Sequence, residues 1–144
     1  MDKKEINSYK REYPLAYTTI DVTNKVILDI GADVGTSAQW FLKHNAKKVI
    51  CFSMNEQMIF DNRIEWNGKW QGEYVKADVL KIDCEGCECK LTERMIEKYN
   101  EWYIAIHTFS KCFNNMMKYL DIKGKVVFIT EDFKEYLYAR VSDC

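Results

Sequence analysis

Lys25-Val26-Ile27-Leu28-Asp29-Ile30-Gly31-Ala32-Asp33-Val34-Gly35-Thr36-Ser37 is the stretch whose reading decides the fold. The apolar run Val26-Ile27-Leu28, closed by Ile30, predicts a strand covered on both faces, which suits a parallel sheet flanked by helices. Gly31 and Gly35 allow backbone angles and close approaches that a side chain would block. A ligand can then lie against the backbone, beside the N-terminus of the helix that opens at Thr36. A plain strand-to-helix turn would have the same composition. The choice between the two rests on the remaining residues.

The chain has 144 residues, enough for one domain spanning 1–144 with a real core. A hydrophobic share of 47% and a charged share of 30% are those of a folded globule. The formal charge of −1 gives no global attraction to nucleic acid or to an anionic membrane. No apolar run approaches the roughly 20 residues that span a bilayer. The charged start Met1-Asp2-Lys3-Lys4-Glu5 lacks the apolar segment of a signal peptide, so the expected location is the cytoplasm. Six cysteines do not have the spacing of a secreted disulfide framework, and the core does not call for staples.

Ile6, Tyr9 and Tyr13 predict an amphipathic helix over residues 3–13, ended by Pro14, so that residues 1–14 cap the domain. Tyr17–Asp21 is β-rich. A helix over 36–45 and an apolar strand over 49–52 complete a βαβ unit with the opening strand. Further along, the pattern predicts a helix over 55–66, a short strand over 73–77, a buried strand over 79–83 and a helix over 88–99. A strand over 102–106, a helix over 113–120 and a closing antiparallel pair, 125–130 and 136–141, finish the chain. The 29 residues between Ser53 and Asp83 are too few for two helices and a full strand, so the sheet is expected to be trimmed around its third and fourth strands.

This order, with Asp29-x-Gly31-x-x-x-Gly35 after the first strand, resembles the class I S-adenosylmethionine-dependent methyltransferases: a three-layer, Rossmann-like α/β fold with a mostly parallel sheet and a C-terminal antiparallel hairpin. Residues 22–35 and 45–52 look like the opening of the FkbM-type family, and Leu80-Lys81-Ile82-Asp83-Cys84-Glu85-Gly86-Cys87-Glu88 looks like its later L-K-I-D-x-E-G-x-E signature. The resemblance implies that S-adenosylmethionine is the cofactor. It would be held by Asp29, Gly31, Ala32, Asp33, Gly35, Thr36 and Ser37 around its methionine end, by Ser53 and Met54 near its ribose, and by Asp78 at its adenine, with loop structure as the alternative role for Asp78. Ser53 stands where the family has an acid that grips both ribose hydroxyls. One neutral hydrogen bond in place of two charge-assisted ones costs on the order of 2–3 kcal/mol.

Oxygen methylation needs a base to take the hydroxyl proton, or a metal to acidify it. Asp83 and Glu85 suit either task. His107, after the strand 102–106, titrates near neutrality and is a further candidate base. Glu85 also suits a helix cap, and a histidine at a strand end also suits a structural role. Cys84-x-x-Cys87-x-Cys89 has the look of a metal fragment, but no second Cys-x-x-Cys pair exists and the family signature already accounts for the motif, so no metal ligand is assigned. Trp66 and Trp70 suit a core or a homodimer surface. The implied activity is methylation of a small molecule or glycan, most simply at oxygen. The competing reading is a catalytically inactive methyltransferase-like domain that binds a ligand or a partner. A dinucleotide-binding domain lacks support, because the three-glycine spacing is absent.

Overall fold

In the computed structural model, which describes residues 12–142, β1 (Val26–Ile30) is the central strand of a seven-stranded sheet. Alternate residues of β1 enter opposite cores: Ile27 joins one apolar cluster, Leu28 and Ile30 the other. Burial on both faces is the condition for a parallel sheet covered by helices. The elements that follow are α1 (Thr36–Lys43), β2 (Lys48–Phe52), β3 (Ile64–Asn67) and β4 (Val79–Ile82). After a 3-10 turn (Cys87–Lys90) come α2 (Glu93–Ile96), β5 (Glu101–His107), α3 (Phe113–Lys123), β6 (Lys125–Ile129) and β7 (Glu135–Arg140). The strand order is β3-β2-β1-β4-β5-β7-β6. The first five strands run parallel, and β7 lies antiparallel between β5 and β6. The mostly parallel α/β sheet and its closing hairpin agree with the sequence reading.

The trimming around the third and fourth strands removes helices and leaves the strands. No helix forms over 55–66; that segment ends in β3 instead. Its apolar residues do not share a face: Met58 is 72% exposed, while Ile59 packs towards the core. The amides of Met58 and Ile59 both donate to the Val34 carbonyl, which holds the segment extended against the glycine turn. Asp61 then accepts from the backbone and guanidinium of Arg63 and turns the chain into β3.

Residues 73–77 are likewise not a strand. Their backbone carbonyls accept from side chains, Glu73 from the Trp70 indole and Val75 from the Tyr99 hydroxyl. Tyr17–Asp21 is turn rather than β structure, and the Ile20 amide donates to the Tyr103 hydroxyl at 2.8 Å. The predicted helix 88–99 is two short pieces, because Thr92 caps a new turn through the Met95 amide. Residues 1–11 of the predicted N-terminal helix lie outside the described residues. Helical backbone runs through Pro14 to residue 16, so the proline does not end it. Among the described residues, no helix is long and apolar enough to cross a membrane.

Two disulfides overturn the expectation that no such framework exists. Cys84 pairs with Cys87, and Cys89 with Cys112, each with Cα atoms 5.5 Å apart. The second ties the 3-10 turn to the residue that opens α3, a proximity between two distant segments that cysteine spacing does not reveal. Cys51 is buried with a free thiol.

Gly31 is a glycine for a packing reason as well as a conformational one. Its φ is +84°, and a Cβ there would lie 2.0 Å from the Asp83 carbonyl oxygen. Gly31→Ala is therefore expected to cost about 3 kcal/mol or more, from strain plus overpacking. At Gly68 a Cβ meets nothing within 4 Å, so Gly68→Ala serves as the control. Urea unfolding of both variants checks this, and equal midpoints would mean that β1 and β4 do not meet so closely.

Candidate active-site cleft

A cleft of about 910 Å³ opens beyond the carboxyl ends of β1, β2, β4 and β5. That is where an open parallel sheet takes its ligands, and the size suits a ligand of cofactor dimensions. The two sequence motifs supply adjoining parts of its lining. Gly31, Ala32, Asp33, Thr36 and Ser37 form one part, Asp83 and Glu85 the next, and Ser53, Met54 and Asn55 enter from the end of β2.

Three of the expected cofactor residues are elsewhere. Asp78 lies at the opposite end of the sheet, where its carboxylate accepts from the Val26 amide at 2.8 Å. The misplacement follows from the missed strand: with β3 at 64–67, Lys69 and Trp70 reach the cleft instead. Gly35 does not line the cleft; a Cβ there would press on Ile59 and Trp66. Asp29 is fully buried beneath the turn and bonded to Lys81 Nζ at 2.8 Å and Ser37 Oγ at 2.5 Å.

This ion pair was legible as an anomaly, a lysine in the middle of the otherwise apolar strand Val79–Ile82. Register explains it: Asp29 and Lys81 are direct neighbours across β1 and β4. Burial would lower the Lys81 pKa, but the charges of Asp29 and Asp83 raise it, so the ammonium stays charged. Near the end of β2, Ser53 Oγ donates to the Asp33 carbonyl at 2.8 Å, and Asn55 Nδ2 donates to the Asp33 carboxylate at 2.5 Å. The Ser53 hydroxyl thus spends its proton on the glycine turn. One of its two lone pairs takes the Asn55 amide, which leaves the other to accept from a ligand.

Asp83 and His107 come together as the sequence suggested, with Nε2 3.7 Å from the carboxylate. Two partners were missed. Glu135 stands directly across from His107 in the β5–β7 ladder, 3.3 Å from Nε2, a pairing set by hairpin register. Glu88, fully buried in the 3-10 turn, accepts from the His107 amide, from Nδ1 at 3.0 Å and from Ser110 Oγ at 2.7 Å. Burial alone would lower the His107 pKa; the bonds to Glu135 and Glu88 and the charge of Asp83 push it up to about 10. Burial and the neighbouring Glu135 raise Asp83 well above the ordinary carboxylate range. Glu12, in the helical segment 12–16 and also on the cleft, is pushed up to about 7 by burial and by Glu135, against the pull of Lys81. Glu85 is exposed on the rim, and the helix-cap role proposed for it belongs to Glu88, whose second oxygen takes the Gly86 amide. The disulfide Cys84–Cys87 forms part of that rim.

Solved structures share this architecture at low sequence identity. A provisionally named ribosomal RNA methyltransferase from Plasmodium falciparum superposes with a TM-score of 0.65, 16% identity and 96% coverage of both chains. A ribosomal protein L11 methylase from Lactobacillus delbrueckii subsp. bulgaricus gives 0.60 and 12%, over 96% of this chain and 78% of that one. A provisionally named hemolysin from Streptococcus thermophilus gives 0.65 and 14%, over 95% and 68%. The fold is therefore the Rossmann-like fold of class I methyltransferases.

No protein-family model matches the chain. It is 35% identical over 147 residues to "Uncharacterized protein 158B" of Sulfolobus islandicus rod-shaped virus 1, covering 92% of each chain. It is 34% identical to "Uncharacterized protein 65" of a Sulfolobus islandicus filamentous virus, covering 93% of this chain and 91% of that one. The chain belongs to the family of these viral proteins.

If Asp29 is a structural anion, Lys81→Met strands a buried charge and costs about 3–5 kcal/mol. Adding Asp29→Leu is expected to recover more than half of that loss. Chemical denaturation of the single and double variants reads the outcome; a Lys81→Met variant of normal stability would contradict the pairing.

Proposed function

We propose that the protein is an S-adenosylmethionine-dependent methyltransferase that methylates an oxygen of a small molecule or glycan. The observation that carries this reading is the cleft itself: both sequence motifs line it, at the strand ends where the fold binds ligands. In this reading the chain is one methyltransferase-like domain, related to the FkbM type through the Leu80–Glu88 signature and the Asp29–Gly35 turn. The methionine end of the cofactor meets the backbone of Gly31–Asp33 and Thr36. The adenine lies towards Trp70, a core residue that also lines the cleft. Ser53 and Asn55 serve the ribose.

The acceptor sits at the other end, by Asp83 and Glu85, the carboxyl groups offered for its hydroxyl proton, Asp83 as the stronger base where it is ionised because burial and Glu135 raise its pKa. His107 is too strongly held as an imidazolium by Glu88 and Glu135 to be that base near neutrality. Its part is to balance and orient the carboxylates.

Calorimetric titration with S-adenosylhomocysteine tests the reading directly, and a 1:1 isotherm is expected. The structure also sharpens the ribose test. A carboxylate at position 53 would stand beside Asp33, so Ser53→Glu is paired with Asp33→Asn. Two charge-assisted bonds are then expected to raise affinity about 10- to 100-fold. No heat at millimolar ligand in either protein would leave the inactive, ligand- or partner-binding domain as the better account.

A further inference from the structure

We infer that Asp83, His107 and Glu135 form a divalent-cation site at the acceptor end of the cleft. One ligand atom from each of the three residues lies within 4.8 Å of the other two. His107 Nε2 is 3.7 Å from Asp83 Oδ1 and 3.3 Å from Glu135 Oε1. Ligands about 2.0–2.2 Å from a common ion stand roughly 3–3.5 Å apart in tetrahedral or octahedral geometry, so the cluster needs little adjustment to close on one.

The second nitrogen gives an independent indication. Metal-bound histidines commonly donate their other ring N–H to a carboxylate, which fixes the tautomer and the ring plane. Here Nδ1 is bonded to Glu88 Oε1 at 3.0 Å, and Glu88 is itself anchored by the His107 amide, Ser110 Oγ and the Gly86 amide. That leaves Nε2 aimed at the two carboxylates, and an ion seated there takes the place of the Nε2 proton, which binding releases to solvent. The three ligands come from the ends of β4 and β5 and the start of β7, all elements of one sheet, so their separation is set by strand pairing. Mixed imidazole and carboxylate donors suit Zn2+ or Mn2+ better than the all-oxygen preference of Ca2+. Asp83, His107 and Glu135 all line the cleft, so the coordination positions they leave open face it and admit an oxygen of a bound molecule. The site goes beyond the methyltransferase reading and stands or falls without it.

The test is calorimetric titration of the full, oxidised chain, stripped with chelator, with ZnCl2 and separately with MnCl2. One ion per chain is expected for at least one metal. His107→Gln and Glu135→Gln are each expected to weaken binding at least tenfold, and Glu93→Gln, distant on α2, to leave it unchanged. Asp83→Asn supplies a third ligand variant should one of the others fail to fold, as checked by circular dichroism. Absence of binding with both metals overturns the site, as does equal affinity in the folded ligand variants and the parent. The readout needs no cofactor: ion binding without S-adenosylhomocysteine binding would support the site and count against the methyltransferase reading, and the reverse would do the opposite.

Discussion

The cleft depends on one close approach. At Gly31 the chain leaves β1 hard against the backbone of Asp83 as β4 ends, and no residue with a Cβ fits between them. Just beneath, Asp29 and Lys81 join the same two strands by a buried ion pair that Ser37 extends into α1. A buried pair of this kind contributes little net stability against an apolar substitute, but either partner alone is very costly. Its effect is to lock strand register and helix start together. Asp83 is thereby held on the cleft wall two residues beyond Lys81, and the turn Gly31–Asp33 is held beside it.

Much of this was legible in the sequence. The apolar run of β1, the helix at Thr36 and the hairpin at the C-terminus were readable because each is local and its pattern is undisturbed. The glycine turn and the Asp83 signature were correctly brought to one cleft by the rule that parallel strands deliver their loops to one edge. The segment 55–67 misled because Met58, Ile59 and Ile64 imitate a helical stripe, whereas only Ile59 and Ile64 turn inward and the backbone bonds go to Val34. That error displaced β3 and carried the expected adenine contact to Asp78, at the wrong end of the sheet.

The charged centre was half legible. His107 and Asp83 follow strands and could be placed; Glu135 could not, since it reaches His107 only through the register of the antiparallel β5–β7 pairing. Glu88 is buried beneath His107 through a contact 19 residues apart in sequence, which spacing does not reveal. The Cys89–Cys112 disulfide was missed for the same reason, as its cysteines are 23 residues apart; Cys84–Cys87 is local, and its three-residue spacing is equally that of a metal fragment. The bond between Cys89 and Cys112 fastens the turn carrying Glu88 to α3, and so steadies the imidazole from behind. Charge, register and covalent ties converge on one end of the cleft, while the other end is built of the glycine-turn backbone, the polar side chains of Ser53 and Asn55, and Trp70.

A crystal structure of the protein grown with saturating S-adenosylhomocysteine tests the central claim most directly. The account predicts the methionine end of the ligand against the backbone of Gly31–Asp33, the adenine against Trp70, and the sulfur directed towards Asp83 and His107. A cleft without ligand at saturation, or a ligand bound outside it, would contradict the account.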